Sequence, residues 1–274
     1  MKTIDLNLFK DACHDQLAIV KREWPEGIPI TKESIDLARS LDLDLDWLVS
    51  RLLFNEAWAY TRLKIGKELE HVLLNVVQSL YLYRTGVTDA GLKELAGLEH
   101  LQTLNLGYTQ VTDAGLKELA GLTQLQSLNL FNTKVTDAGL KELAGLKQLR
   151  TLYLSETQVT DAGLGELAGL KQLLELSLSG TEVTNTGLQA LAGLTQLQWL
   201  DLSDTQVTDA GLKELASLTQ LEELSLDGTK MIDAGLQKLA CLKQLQWIHL
   251  RRTQVTDAGM RELQKVLPRV TIYR

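Results

Sequence analysis

Val87-Thr88-Asp89-Ala90-Gly91-Leu92 decides the fold of this chain, because the stretch does not occur only once. The same six residues begin again at Val111, Val135, Val159 and Val207. Variants begin at Val183 (Val-Thr-Asn-Thr-Gly-Leu), Met231 (Met-Ile-Asp-Ala-Gly-Leu) and Val255 (Val-Thr-Asp-Ala-Gly-Met). Successive starts are 24 residues apart, with no insertion. A fixed period of this length marks a stacked array of supersecondary units.

Outward from the hexapeptide, one unit continues as Leu98-x-x-Leu101-x-x-Leu104-x-Leu106-x-x-Thr109. Two periods are mixed in it. Leu104 and Leu106 are two apart, as on one face of a strand. Leu92, Leu95 and Ala96 recur at helical spacing. Each unit is therefore a short strand followed by a helix, and consecutive strands run parallel. Thr88 is the expected helix N-cap, with Asp89 in the first turn against the positive end of the dipole. Gly97 is the expected left-handed stop, in a column continued by Gly121, Gly145, Gly169 and Gly193, then Ser217 and Cys241. A single unit has too little core to fold alone. Stacking buries the leucine rows, each side chain contributing roughly 1.5–3 kcal/mol.

The pattern L-x-x-L-x-L-x-x-T-x-V-T-D-A-G-L-x-x-L-A-x-L resembles the leucine-rich repeat family. It is most similar to the 24-residue variety of planctomycete-type bacterial proteins, itself similar to the ribonuclease-inhibitor-like class. The resemblance covers residues 77–274 and departs from the commonest pattern at one column. Thr stands where Asn is usual, from Thr85 and Thr109 to Thr229 and Thr253. Its hydroxyl can bond neighbouring backbone, so the column reads as structural. The resemblance implies an α/β solenoid: a horseshoe with a concave parallel sheet and convex helices. It is specific for the fold and carries almost nothing about function.

The expected organisation is an α-helical cap or docking domain over 1–72, then the solenoid over 73–274, with eight repeats and a C-terminal capping strand. In the first region Phe9, Cys13, Leu17, Val20 and Trp24 fall at helical spacing. Thr31 and Asp46 can cap two further helices. Pro268 and the flanking arginines suit a last strand that discourages further pairing.

Composition narrows the function. Apolar residues make up 45% and the net charge is −7, which argues against nucleic acid, whose phosphates call for Lys and Arg. Cys13 and Cys241 lie far apart and outside any C-x-x-C motif, so two reduced, buried thiols are expected. No signal-peptide core opens the chain, and no stretch approaches the ~20 apolar residues that span a bilayer. The expected setting is cytoplasmic, without membrane contact, as a monomer or weak homo-oligomer.

No enzymatic motif emerges. Asp42-Leu43-Asp44-Leu45-Asp46 begins like a calcium loop, but Trp47 replaces the glycine at its sixth position and Leu53 the glutamate at its twelfth. The aspartate column running from Asp89 to Asp257, interrupted by Asn185, reads as helix-dipole stabilisation rather than a cation row. His14, His71, His100 and His249 have no metal-ligand spacing, and there is no nucleophile elbow or phosphate loop. No cofactor and no catalysis are expected.

The candidate binding residues are those that alternate with the inward leucines, or lie just beyond the strand, and vary between repeats. Tyr81, Tyr83, Arg84, Asn105, Tyr108, Asn129, Phe131 and Tyr153 form an aromatic, amide-rich beginning. Glu175, Trp199, Asp201, Asp204, Glu223 and Asp227 form an acidic middle. Trp247, His249 and Arg251 close the row. Exposed aromatics and arginines are the usual anchors of protein interfaces, and the acids suggest a protein or peptide partner with a basic patch. The alternative is an adapter, F-box-like or other, whose N-terminal helices recruit a machine while the repeats select a client. Pro29, Ile35, Leu37 and Leu41, followed by Trp47–Trp58, are faintly similar to the F-box motif.

Overall fold

The structure is a computed structural model. It describes residues 78–274 apart from Ala96, together with Thr3, Ile4, Ala18, Arg22, Ile28, Pro29, Leu37 and Leu41. Two short strands near the N-terminus, β1 (Thr3–Ile4) and β2 (Ile28–Pro29), pair antiparallel. Leu41 donates its N–H to the Leu37 carbonyl. The expected helical domain, the calcium-loop-like run and the F-box-like spacing otherwise lie outside the described residues.

The array is a nine-stranded parallel sheet whose spatial order is its sequence order. Its strands are β3 (Ser79–Tyr81), β4 (Thr103–Asn105), β5 (Ser127–Asn129), β6 (Thr151–Tyr153) and β7 (Glu175–Ser177). They continue as β8 (Trp199–Asp201), β9 (Glu223–Ser225), β10 (Trp247–His249) and β11 (Thr271–Tyr273). The register never slips: Leu80, Leu104, Leu128, Leu152, Leu176, Leu200, Leu224, Ile248 and Ile272 lie side by side. A slip of one residue would turn every leucine to the other face, so burial enforces this pairing. Leu104 and Leu106 are fully buried, as are their equivalents Leu128, Leu130, Leu152 and Leu154.

The return segments are shorter than a full helix. Asp113–Leu116 is one α-turn, followed by a 3-10 turn over Lys117–Leu119. Asp209–Ser217 is 3-10 throughout, and only Asp137–Leu143 and Asp257–Val266 are longer α-helices. Each of these segments carries a glycine in its first turn, which lowers helix propensity.

That glycine answers a packing demand. A Cβ at Gly115 would stand 2.4 Å from the Asp89 Oδ1 of the preceding repeat, and one at Gly139 would stand 2.4 Å from Asp113 Oδ1. The aspartates are held there by a bond pair that spans repeats. Thr112 donates its N–H to Asp89 Oδ1 at 2.8 Å and its hydroxyl to Asp89 Oδ2 at 2.7 Å. Asp113 receives the same pair from Thr136, and Asp137 from Thr160. The acids sit in the first turn of their segments, as the helix-dipole reading expects, and the same carboxylates also clamp the next repeat through charge-assisted bonds. Asn185 preserves the clamp in neutral form. Its Oδ1 accepts from Thr208 N–H at 2.9 Å and its Nδ2 donates to Thr208 Oγ1 at 2.9 Å. At Asp233 the backbone and side-chain bonds from Thr256 hold the carboxyl below its usual range.

The threonine column is structural as expected. Thr109, Thr133 and Thr157 are buried, and each donates its hydroxyl to the carbonyl three residues back at 2.6–2.7 Å. Two expectations fail. Of the glycine column only Gly97 is left-handed, at φ 94°; the others end their segments with ordinary backbone. Cys241, in that same column, is exposed rather than buried.

Candidate partner-binding face

Strand alternation sends the residues between the buried leucines to the outer face of the sheet. Just after each strand the chain turns through a left-handed residue. The column runs Arg84, Tyr108, Asn132, Glu156, Gly180, Asp204, Gly228 and Arg252, with φ between 50° and 70°. Only two of the eight are glycine, and each other member carries a conformational cost of about 1 kcal/mol. Six of the eight turns thus present a side chain at the rim of the face, and Gly180 and Gly228 leave gaps.

On β3 to β5 the outer face is aromatic. Tyr81 is 56% exposed, Tyr83 42% and Tyr108 37%. Tyr83 meets Tyr108 edge-on at 5.4 Å, and Tyr108 meets Phe131 edge-on at 4.9 Å. The Arg84 guanidinium lies 5.3 Å from the Tyr83 ring centre and 4.8 Å from that of Tyr108. This is cation–π distance. Asn105 and Asn129, expected as partner contacts, first serve the fold. Asn105 Oδ1 accepts from Gly107 N–H at 3.0 Å, and Asn129 Oδ1 accepts from Phe131 N–H at 2.8 Å.

From β6 onward the outer side chains bond to one another. The Tyr153 hydroxyl donates to Glu175 at 2.8 Å, and its ring meets Trp199 edge-on at 5.9 Å. Burial, then the Glu175 carboxylate, pushes the Tyr153 phenol up to about 12. Ser177 donates to Asp201 at 3.2 Å. Asp201 also receives both the N–H and hydroxyl of Ser203, which in turn meets Ser225 at 2.6 Å. His249 faces Glu223 at 3.2 Å and stacks on Tyr273 at 4.7 Å. Arg251 donates its backbone N–H to Asp227 at 2.6 Å. Arg252 reaches back two repeats to Asp204, at 2.8 Å. Gly228 lies between them, and a Cβ there would stand 2.1 Å from Asp204 Oδ1.

The acids of the middle are also bonded within the chain. Glu175, Asp201, Asp204, Glu223 and Asp227 each have a partner there, but only Asp204 is paired with a permanent cation, Arg252. Sequence reasoning overlooks the serine ladder, Tyr273 and the gap at Gly228. A signal for the turn column is present, because Asn132, Gly180, Asp204 and Gly228 share one register and tolerate positive φ. Trp247, 37% exposed, lines a recess of about 370 Å³ with Lys243, Gln246 and Arg269 at the end of the array. Among the described residues, no cluster of His, Cys, Asp and Glu could hold a metal ion, and no helix is long and apolar enough to cross a membrane.

Residues 76–270 match the sequence pattern of the leucine-rich repeat region family. No curated protein matches the chain. Among solved structures, internalin C2 from Listeria monocytogenes is 34% identical with a TM-score of 0.59, over 73% of this chain and 82% of that one. A leucine-rich repeat protein from Leptospira interrogans is 26% identical with a TM-score of 0.61, over 76% of this chain. This chain spans 51% of that protein. A plant peptide hormone receptor solved in complex with RGF2 shares the fold at 16% identity, with a TM-score of 0.52, over 72% of this chain and 32% of that one.

Proposed function

The chain belongs to the leucine-rich repeat family, and from that premise we propose that it is a non-catalytic protein-interaction module. The outer face of the sheet, read as the concave side of the solenoid, receives a protein or a peptide. Solenoids present extended surfaces of this kind, built by repetition and specialised by the residues that vary. One observation carries the reading: Tyr81, Tyr83 and Tyr108 remain exposed on a face whose reverse is filled by leucine. Exposed rings held side by side are the usual hot-spot material of protein interfaces. Nine strands at ~4.8 Å spacing give a face on the order of 40 Å across. That suits a folded partner or an extended peptide better than a metabolite, which favours an enclosed pocket. The repeats themselves are read as the 24-residue planctomycete-type variety, on the strength of Val-Thr-Asp-Ala-Gly-Leu and the threonine column.

The test is capture from a lysate of the source organism. The intact chain is compared with a variant carrying Tyr81→Ala, Tyr83→Ala, Phe131→Ala and Trp199→Ala, both shown to be folded by circular dichroism. A protein retained by the first and lost by the second is the expected result. Equal capture by both would move the binding site off this face.

A further inference from the structure

The outer face is chemically lopsided at its N-terminal end. On the three segments 79–84, 103–108 and 127–132, Arg84 is the only charged residue. Among the described residues its guanidinium has no carboxylate partner, only the rings of Tyr83 and Tyr108. The other arginine of the same turn column, Arg252, shows what the scaffold does when it satisfies such a group, because that arginine reaches Asp204 at 2.8 Å. The asparagines tilt the balance further. Asn105 and Asn129 commit their side-chain oxygens to backbone N–H groups two residues on. What remains on each is an NH₂ donor, and no buried side-chain nitrogen or oxygen among the described residues lacks a partner, so these donors reach solvent. Asp201 occupies the equivalent position on β8 and makes the same turn bond to Ser203, but offers a second carboxylate oxygen where asparagine offers a donor.

We propose that this end of the face recognises an acidic segment of a protein partner, an Asp or Glu adjacent to an apolar or aromatic residue. The proposal rests on the interaction-module reading above. The carboxylate would bond to Arg84 and the Asn105 and Asn129 amides, and the neighbouring side chain would pack on Tyr83, Tyr108 and Phe131. A planar guanidinium already stacked on aromatic rings is oriented for carboxylate, which lowers the entropy lost on binding. The chain as a whole carries −7, so recognition is by local contact and not by long-range steering.

The test is panning of random displayed linear peptides against the immobilised full chain. Enriched sequences should carry Asp or Glu next to Phe, Tyr, Leu or Ile. The same panning on Arg84→Glu should return Lys or Arg in place of the acid. A synthetic peptide of the enriched sequence should bind Arg84→Ala about tenfold or more weakly than the intact chain. Asn105→Asp, which keeps the turn bond as Asp201 does, should also weaken it. Enrichment of basic or uncharged sequences, unchanged affinity on Arg84→Ala, or no enrichment would each overturn the proposal. Binding lost in the four-residue aromatic variant but unaffected by Arg84→Ala would retain the face and eliminate the acid preference. No enrichment, with equal lysate capture by intact chain and aromatic variant, would eliminate both.

Discussion

The two ends of the outer face rest on the same scaffold and manage their polar groups in opposite ways. Beneath both, leucines in fixed register fill the interior, and Asp–Thr clamps join one repeat to the next. Above β7 to β10 the side chains bond to one another: carboxylates meet serines and a histidine of neighbouring repeats and an arginine two repeats on. Above β3 to β5 the donors of Arg84, Asn105 and Asn129 are left to solvent beside exposed tyrosines. A repeat array fixes its backbone by repetition, so its two ends differ in the variable groups they carry and in how those groups are bonded. At the N-terminal end the groups without a charged partner are donors beside exposed rings.

If the scaffold is truly common to both ends, damage to it should not distinguish them. Leu128→Ala in β5 and Leu224→Ala in β9 each remove a fully buried side chain from an equivalent position. Each should destabilise the array by about 3–5 kcal/mol, read as a lowered urea midpoint. A much smaller loss at one end would mean that the two halves are packed differently. Next in size is the clamp. Gly139→Ala should cost about 1–3 kcal/mol by driving a methyl into Asp113, whereas Gly145→Ala, where a Cβ meets nothing within 4 Å, should be neutral or mildly stabilising. Equal effects of the two substitutions would contradict the inter-repeat role of the aspartate column.

The fold is largely legible in the sequence. The period, the inward leucines and the buried threonine column follow from spacing alone, because eight copies average away local ambiguity. The aspartates are half legible: their place in the first helical turn follows from the sequence, but the clamp onto the next repeat does not. Asn185, which keeps the oxygen that accepts from Thr208 N–H, shows the clamp persisting without the charge. The pattern of glycines points to left-handed turns at the end of the return segment. Apart from Gly97, they lie instead after the strand, where Asn132, Glu156, Gly180, Asp204 and Gly228 follow one another. The internal partners of the acidic residues are illegible for a different reason. A contact such as Arg252–Asp204 joins residues 48 apart and depends on an unfilled space above Gly228, which no linear spacing encodes.

Smaller effects sharpen the contrast in how polar groups are satisfied. Tyr153→Phe removes the bond to Glu175 and should cost about 1 kcal/mol near neutral pH. The folded chain keeps the Tyr153 proton up to about 12, against 10.0 for the ordinary phenol. Stability from this group is thus complete below pH 10 and is lost as pH rises toward 12. The difference in stability between the parent and Tyr153→Phe should shrink over that interval, and a constant difference would contradict the assignment. The smallest expected change is Asp204→Ala, below about 1 kcal/mol because the pair with Arg252 is exposed. A loss beyond about 2 kcal/mol would instead make the rim pair a structural element of the array.

Binding of a partner at the donor-rich end is tested most directly by capture with two matched variants of the full chain. One carries Tyr81→Ala, Tyr83→Ala and Arg84→Ala; the other carries Trp199→Ala, Trp247→Ala and Arg251→Ala. Recognition at the N-terminal end predicts that the first loses the protein held by the intact chain while the second retains it. Retention by the first and loss by the second would place recognition on the internally bonded end and contradict that assignment.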